Sequence, residues 1–235
     1  MPKLTRKQRW PINLGLAVVN MLIMRLSIGG LAMLSALAAQ QQLIGLLNLI
    51  ALPEWLAIFL TLLGLDFAIY CQHILAHKWS LLWRLHQVHH TDLEFDATTA
   101  VRFHPLEIML SMFYKVLCIY FIGADVFGVL LFEVILNAAA TFNHSNIDIP
   151  PSIEKKLRWL LITPDLHRIH HSTRPVETDS NYGFSISVWD RLFKTYTAVA
   201  ALPQAEMAIG LNAYRQAKDI SFGKLLLLPF KQLRR

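Results

Sequence analysis

The sequence predicts an all-α integral membrane protein: a helical bundle of about four transmembrane helices plus an interfacial helix, with a histidine-rich helical cap on the cytoplasmic side. The chain of 235 residues is 54% hydrophobic and 16% charged, with a mean hydropathy of +0.41. Ordinary soluble domains have roughly 25% charged residues. Several apolar runs approach the length of a bilayer span, and all ten histidines lie between residues 73 and 171.

The net charge of +6 is interpreted as membrane topology, not as affinity for nucleic acid. The basic residues lie at the two ends of the chain and around the histidines, where cytoplasmic segments of membrane proteins carry them. The two cysteines, Cys71 and Cys118, lie inside apolar runs and predict buried thiols rather than a disulfide. No cleavable signal peptide is predicted, since the apolar run after Arg9 is too long.

The N-terminal segment is predicted to anchor the chain in the membrane. Residues 1–10 form a basic stub, typical of a cytoplasmic start. Residues 11–38 are apolar enough for a first span, although Arg25 interrupts them and would need a partner or a water-filled face. Residues 43–52 have about half of the roughly 20 residues that a span takes, so they predict an interfacial or re-entrant helix.

The middle of the chain supplies the remaining spans. Residues 54–77 predict a second span, followed by an amphipathic cytoplasmic segment over residues 78–107. The next apolar run is broken at Gly123-Ala124-Asp125 and predicts a helical hairpin, with arms at about 106–122 and 125–144. Four crossings from a cytoplasmic N-terminus return the chain to the cytoplasmic side, and every histidine cluster then lies on that side.

Eight histidines form three clusters, one with His-x3-His spacing and two with His-x2-His-His spacing. Residues three and four apart share one face of a helix, so each cluster aims imidazoles at one point. Neutral imidazole is a common metal ligand, and eight exceed the four ligands of one zinc ion. The set suits two metal ions of the iron type. The clusters are His73 and His77; His86, His89 and His90; and His167, His170 and His171.

Other polar residues near the clusters are candidate ligands or supports. His144, at the end of the hairpin, is a ninth ligand candidate. His104 is weaker: it could be a tenth ligand, a donor to a ligand, or a residue that shapes its loop. Buried carboxylates and amides would fix the ring orientations, and the candidates for this role or for the metal are Asp66, Glu133, Asn137 and Asp165. No catalytic residue beyond the metal centre is predicted.

Taken together, these motifs resemble the fatty acid hydroxylase/sterol desaturase family of integral-membrane, histidine-rich di-iron oxygenases. The resemblance covers about residues 54–197. It rests on His73-x3-His77, LWRLHQVHH (82–90), RFHPLE (102–107), FNHSN (142–146), TPDLHRIHH (163–171) and NYGFSISVWDRLFKTY (181–196). The family implies a helical membrane anchor, a di-iron site at the cytoplasmic face and O2-dependent C–H chemistry on lipids.

The resemblance also implies which residues bind the metal and what else the reaction needs. The cofactors would be two iron ions, with O2 as co-substrate and a lipid as substrate. Because the sequence contains no dinucleotide-binding, iron–sulfur or haem motif, electrons would come from a separate reductase, cytochrome or ferredoxin. The implied metal ligands are His73, His77, His86, His89, His90, His144, His167, His170 and His171.

The expected organisation is a membrane anchor over residues 1–53, a catalytic domain over 54–197 and a basic C-terminal tail over 198–235. The apolar patch at 225–230 is too short to span and is interpreted as a membrane-surface segment. The compact chain without a targeting signal suggests a bacterial inner membrane.

The reaction itself has alternatives. Hydroxylation is favoured because it requires one hydrogen abstraction, but desaturation by the same kind of site stays open, as does the identity of the lipid. A zinc hydrolase would require a His-Glu-x-x-His motif, which the sequence lacks. A non-enzymatic metal-binding or transport protein would want ionisable residues along a pathway through the membrane, whereas these histidines gather at one face.

Overall fold

A computed structural model describes residues 4–25 and 30–231, and within them it is helical with no strand. The long helices form a bundle. Residues 80–104 and the short helices of the C-terminal half form a cap at one end of it. The helices are α1 (Arg6–Ile23), α2 (Leu31–Gln41), α3 (Glu54–Lys78), α4 (Ser80–His90), α5 (Pro105–Ile122), α6 (Val126–Asn143), α7 (Pro151–Leu157), α8 (Pro164–His170), α9 (Pro175–Thr178), α10 (Val188–Leu192) and α11 (Phe222–Leu227).

Helices α2, α3, α5 and α6 pack into the bundle. Three of them, α3, α5 and α6, are long and apolar enough to cross a membrane among the residues described, which confirms the predicted second span and the hairpin. Their core includes Leu65, Ile119 and Phe132. The hairpin turns at Gly123, whose φ of 72° suits glycine. Asp125 then starts α6, because its carboxylate accepts the backbone N–H of Gly128 at 2.7 Å.

The predicted first span over residues 11–38 does not form as one helix among the residues that the structure describes, and its residues 26–29 lie outside them. The chain there is divided between α1 and α2, and Gly30 begins α2 with a φ of 77°. The physical reason lies in the polar face of α1, which buries Arg9, Asn13 and Asn20 against the cap instead of presenting them to lipid. Arg25 is exposed.

The segment 43–52, predicted as an interfacial or re-entrant helix, contains only a short 3-10 turn at Leu46–Leu49. It lies against the tip of the hairpin. A Cβ on Gly45 would come within 2.1 Å of the backbone nitrogen of Gly123, so the two backbones approach more closely than any side chain allows. This contact lies at the end of the bundle where α3 begins, whereas the histidines of α3 lie at the other end of that helix.

A buried ionic network ties α1 to the cap. The Arg9 guanidinium donates to both carboxylate oxygens of Asp92, with Nε–Oδ1 2.6 Å and Nη2–Oδ2 2.8 Å. Asn13 donates to the same carboxylate at 3.0 Å and accepts from Arg102 at 2.6 Å. Burial alone would raise the pKa of Asp92, but the hydrogen bonds and charge of Arg9 and the charge of Arg102 hold it below its ordinary value.

The C-terminal apolar patch packs onto the same side of the molecule. Leu225 and Leu228 are buried in a cluster with Leu16 of α1 and Val88 of α4, while Leu227 and Phe230 stay exposed. The N-terminal helix and the C-terminal segment therefore both buttress α4, which carries three of the histidines.

Replacing Arg9 with alanine is expected to destabilise the protein by about 3 kcal/mol, because the Asp92 carboxylate would stay buried without its partner. The thermal midpoint of the purified protein in detergent measures the loss. Arg6→Ala is the matched control, since Arg6 is exposed on the same helix. Equal midpoints for the two variants would contradict the role assigned to this network.

Candidate metal centre

Nine of the ten histidines converge at the cap end of the bundle, and each is at most 7% exposed. They form two groups of ligand atoms, and within each group these atoms lie within 4.8 Å of one another. We call them the five-histidine group and the four-histidine group. The first comprises His73, His77, His86, His90 and His170, and the second comprises His89, His144, His167 and His171.

The two His-x2-His-His motifs divide their histidines between the groups. On α4, His86 and His90 point to the five-histidine group while His89 points to the other. At α8 the division is reversed: His167 and His171 belong to the four-histidine group and His170 to the five-histidine group. Residues four apart share a helix face and the residue between them is turned away, so each motif serves both groups.

Hydrogen bonds from outside the groups orient several rings. The Nδ1 atoms of His73 and His170 lie 2.8 Å from the carbonyl oxygens of Tyr182 and Ser180, and that of His144 lies 2.8 Å from its own helix at the Ala140 carbonyl. A carbonyl only accepts, so each Nδ1 carries the proton and each Nε2 keeps its lone pair facing inward.

Asp190 holds the loop that provides two of these carbonyls. Its carboxylate accepts the backbone N–H groups of Tyr182 at 2.8 Å and Gly183 at 2.7 Å. Asn181 within this loop adopts a φ of 51°, and its side-chain amide donates to the Leu166 carbonyl at 3.2 Å. Residues 180–183 therefore support the rings of His73 and His170.

The inner nitrogens meet the requirements of a metal site. In the four-histidine group, the Nε2 of His144 lies 3.2 Å from that of His89 and 3.1 Å from that of His167. Two ligands about 2.1 Å from one ion, on perpendicular axes, are about 3 Å apart. The buried Nε2 atoms of His86 and His170, and both ring nitrogens of His90, lack any hydrogen-bond partner. A bound cation would satisfy these atoms, so the residues present fit metal ions.

The protonation state also favours metal binding. Burial and the neighbouring imidazoles hold the pKa of His89, His90, His167 and His171 well below the ordinary value. Burial lowers the pKa of His144 to about 4 and that of His170 to about 3. These rings are neutral near neutral pH, which is the form that binds a metal.

Glu107 is a site residue that sequence reasoning missed. It lies in the first turn of α5, and its Oε1 accepts the Nδ1–H of His86 at 2.6 Å. The RFHPLE motif contains it, but no helical spacing relates residue 107 to residue 86, so only the packing of α5 against α4 brings the two together. The carboxylate orients the ring and makes it a stronger donor to a metal.

The remaining sequence candidates lie outside both groups. His104 starts α5: its Nδ1 accepts the Leu106 N–H at 3.2 Å, and its Nε2 lies 3.2 Å from the Leu226 carbonyl. Asp66 accepts from the indole of Trp189 at 2.8 Å. The other three candidates, Glu133, Asn137 and Asp165, also contribute no atom to either group.

A cavity of about 410 Å³ begins at the histidines and runs between the spanning helices. His73, His86, His89 and His167 form part of its wall, so both groups face it. Apolar side chains of α3, α5 and α6 line much of the remainder, and the volume is that of an ordinary small-molecule site.

Three relatives match about three fifths of the chain. Alkylglycerol monooxygenase of Xenopus tropicalis is 34% identical over 144 residues, 59% of this chain and 30% of the relative. The Homo sapiens alkylglycerol monooxygenase is 31% identical over 150 residues, 61% of this chain and 31% of the relative. Ornithine lipid hydroxylase OlsE of Rhizobium tropici is 30% identical over 146 residues, which are 61% of this chain and 43% of the relative.

The chain thus spans less than half the length of these relatives. No solved structure matches it significantly. A model of the fatty acid hydroxylase family matches residues 58–195, more than half of the chain and a range that contains all nine converging histidines. With its two groups of buried imidazoles and this match, the chain belongs to the fatty acid hydroxylase family.

Proposed function

We propose that this protein is a membrane-bound di-iron monooxygenase that hydroxylates a C–H bond of a lipid. The observation that carries the proposal is the division of nine buried histidines into two ligand groups on the wall of one largely apolar cavity. The five-histidine group and the four-histidine group would each hold one iron ion. Bound there, the two ions would supply the activation of O2, by which one oxygen atom enters the lipid C–H bond and the other is reduced to water with two electrons and two protons.

The protein's own residues bind the lipid, orient the ligands and exclude water. The cavity wall includes Ile69, Met112, Leu136 and Phe184, which suit an alkyl chain. The loop carbonyls and Glu107 keep the imidazoles turned toward the ions. The nine rings are shielded from solvent, so a reactive intermediate would be protected from side reactions with water.

The names of the relatives, a monooxygenase of alkylglycerols and a hydroxylase of ornithine lipids, favour hydroxylation over desaturation. We further propose that the site lies at the cytoplasmic face of a bacterial inner membrane, where three helices cross. Hydroxylation with O2 consumes two electrons from outside, which a separate electron-transfer protein would deliver. A metal transporter is the less favoured function, because the histidines gather at one end of the bundle.

The iron content per chain tests the two ligand groups. Protein purified with iron is expected to contain two ions per chain, measured by mass spectrometry of the metal against protein concentration. His90→Ala removes a ligand of the five-histidine group, and His144→Ala removes one of the four-histidine group. Each is expected to lower the content to one ion or fewer.

His104→Asn is the matched control for this measurement, because His104 is equally buried but caps α5, and asparagine caps helices as well. It is expected to keep two ions. Iron lost from this variant at the same level, or kept by His144→Ala, would contradict the assignment of the two groups.

Glu107→Gln keeps the size of the side chain but removes the charge that faces His86. Iron affinity, measured by competition with a chelator, is expected to fall about 10- to 100-fold, as for other residues that orient a metal-bound histidine. Glu206→Gln, at an exposed glutamate, is the control. An unchanged affinity in Glu107→Gln would show that the contact has no part in metal binding.

The reaction is tested by lipid mass spectrometry under 18O2. Cells that produce the protein are compared with cells that produce His144→Ala, with the same electron donor present. We expect one lipid to gain a single 18O atom only with the intact protein. Loss of two hydrogens without label would establish desaturation instead. No O2-dependent lipid change from protein loaded with two irons would refute the oxygenase.

A further inference from the structure

Besides the histidines and the residues next to them, the cavity wall carries a strip of polar side chains from α3, α5 and α6. Lys115 of α5 donates to Glu133 of α6, with Nζ–Oε1 2.5 Å. One turn nearer the histidines on α5, Ser111 donates to Gln72 of α3 at 3.3 Å. Asn137 lies one turn along α6 from Glu133. The side chains that form this strip and line the cavity are Gln72, Ser111, Lys115, Glu133 and Asn137.

Stability alone does not account for the Lys115–Glu133 pair. Lys115 is 6% exposed and lies inside a helix that is apolar enough to span the membrane. Charges at such positions are costly, and they generally mark functional sites. The Glu133 side chain is 29% exposed, and an apolar pair of similar size would join α5 to α6 at least as well as this partly buried ion pair does. The pair therefore points to a ligand that needs it.

The pair lies at the end of the cavity away from the histidines. Glu107, which contacts His86, precedes Lys115 by eight residues, so the ammonium lies about 12 Å along α5 from that level. Glu133 precedes His144 by eleven residues on α6, which corresponds to about 16 Å. A ligand that fills the cavity would touch the metal centre at one end and this pair at the other.

We propose that the Lys115–Glu133 pair recognises a neutral hydroxyl group on the lipid, remote from the carbon that faces the histidines. An ammonium and a carboxylate together carry no net charge, so a charged group would leave one charge unpaired. A hydroxyl accepts a hydrogen bond from the Lys115 ammonium and donates one to the Glu133 carboxylate. A plain alkyl chain satisfies neither group. This inference rests on the proposed function only for the placement of the reacting carbon.

The test compares the binding of 1-decanol and decane to iron-loaded protein in phosphatidylcholine nanodiscs without O2. Binding is followed as the rise in thermal midpoint with the mole fraction of each probe in the bilayer. Wild-type protein is expected to reach half-saturation at an about tenfold lower mole fraction of decanol, as hydrogen bonds to charged groups allow. The doubly substituted Lys115→Met/Glu133→Met protein is expected to lose this preference.

The reversed pair, Lys115→Glu/Glu133→Lys, is the matched control, because it keeps both charges and is expected to keep the preference for decanol. The iron content of each variant reports whether it is folded. Wild-type protein that does not prefer decanol would overturn the proposal whatever the variants do, and so would a Met/Met variant that still prefers it. Neither O2 nor turnover is needed, so these outcomes are independent of whether the protein is an oxygenase.

Discussion

The fold depends on the burial of nine imidazoles side by side. Such rings have lone pairs that need a partner, and several of their inner nitrogens find none in the protein. Without metal ions the centre would be a concentrated set of unsatisfied polar atoms in the interior. With the two proposed ions bound, the same atoms would become metal ligands that join α3, α4, α6 and α8. Metal binding and the stability of the cap are therefore expected to be coupled.

Around this centre, several rings depend on residues in other segments of the chain. The 180–182 loop orients His73 and His170, and Asp190 in turn fixes that loop. The network of Arg9 and Asp92 holds the chain directly after His90. Ring orientation, which decides whether a nitrogen can bind a metal, is thus set in part by hydrogen bonds from other segments of the chain.

The sequence predicted the parts of the fold that depend on local pattern. The spans over 54–77 and the hairpin follow from apolar length and from the Gly123 break, and the three histidine clusters follow from helical spacing. The predicted first span was not confirmed as one helix, because hydropathy averages over a segment and does not show that Asn13 and Asn20 share a face that meets polar partners. Glu107 was missed, and the division of each His-x2-His-His motif between two groups was not anticipated, because both depend on the packing of separate helices.

That division has a consequence for assembly. The α4 motif gives two ligands to the five-histidine group and one to the four-histidine group, and the α8 motif gives one and two. Neither group is therefore complete until both segments are in place. The segment that carries α8 must fold back over the finished hairpin before either position is complete. Retention of both ions would then report that the polypeptide has closed over the hairpin, because α3 and α4 by themselves supply four ligands of the five-histidine group but only one of the four-histidine group.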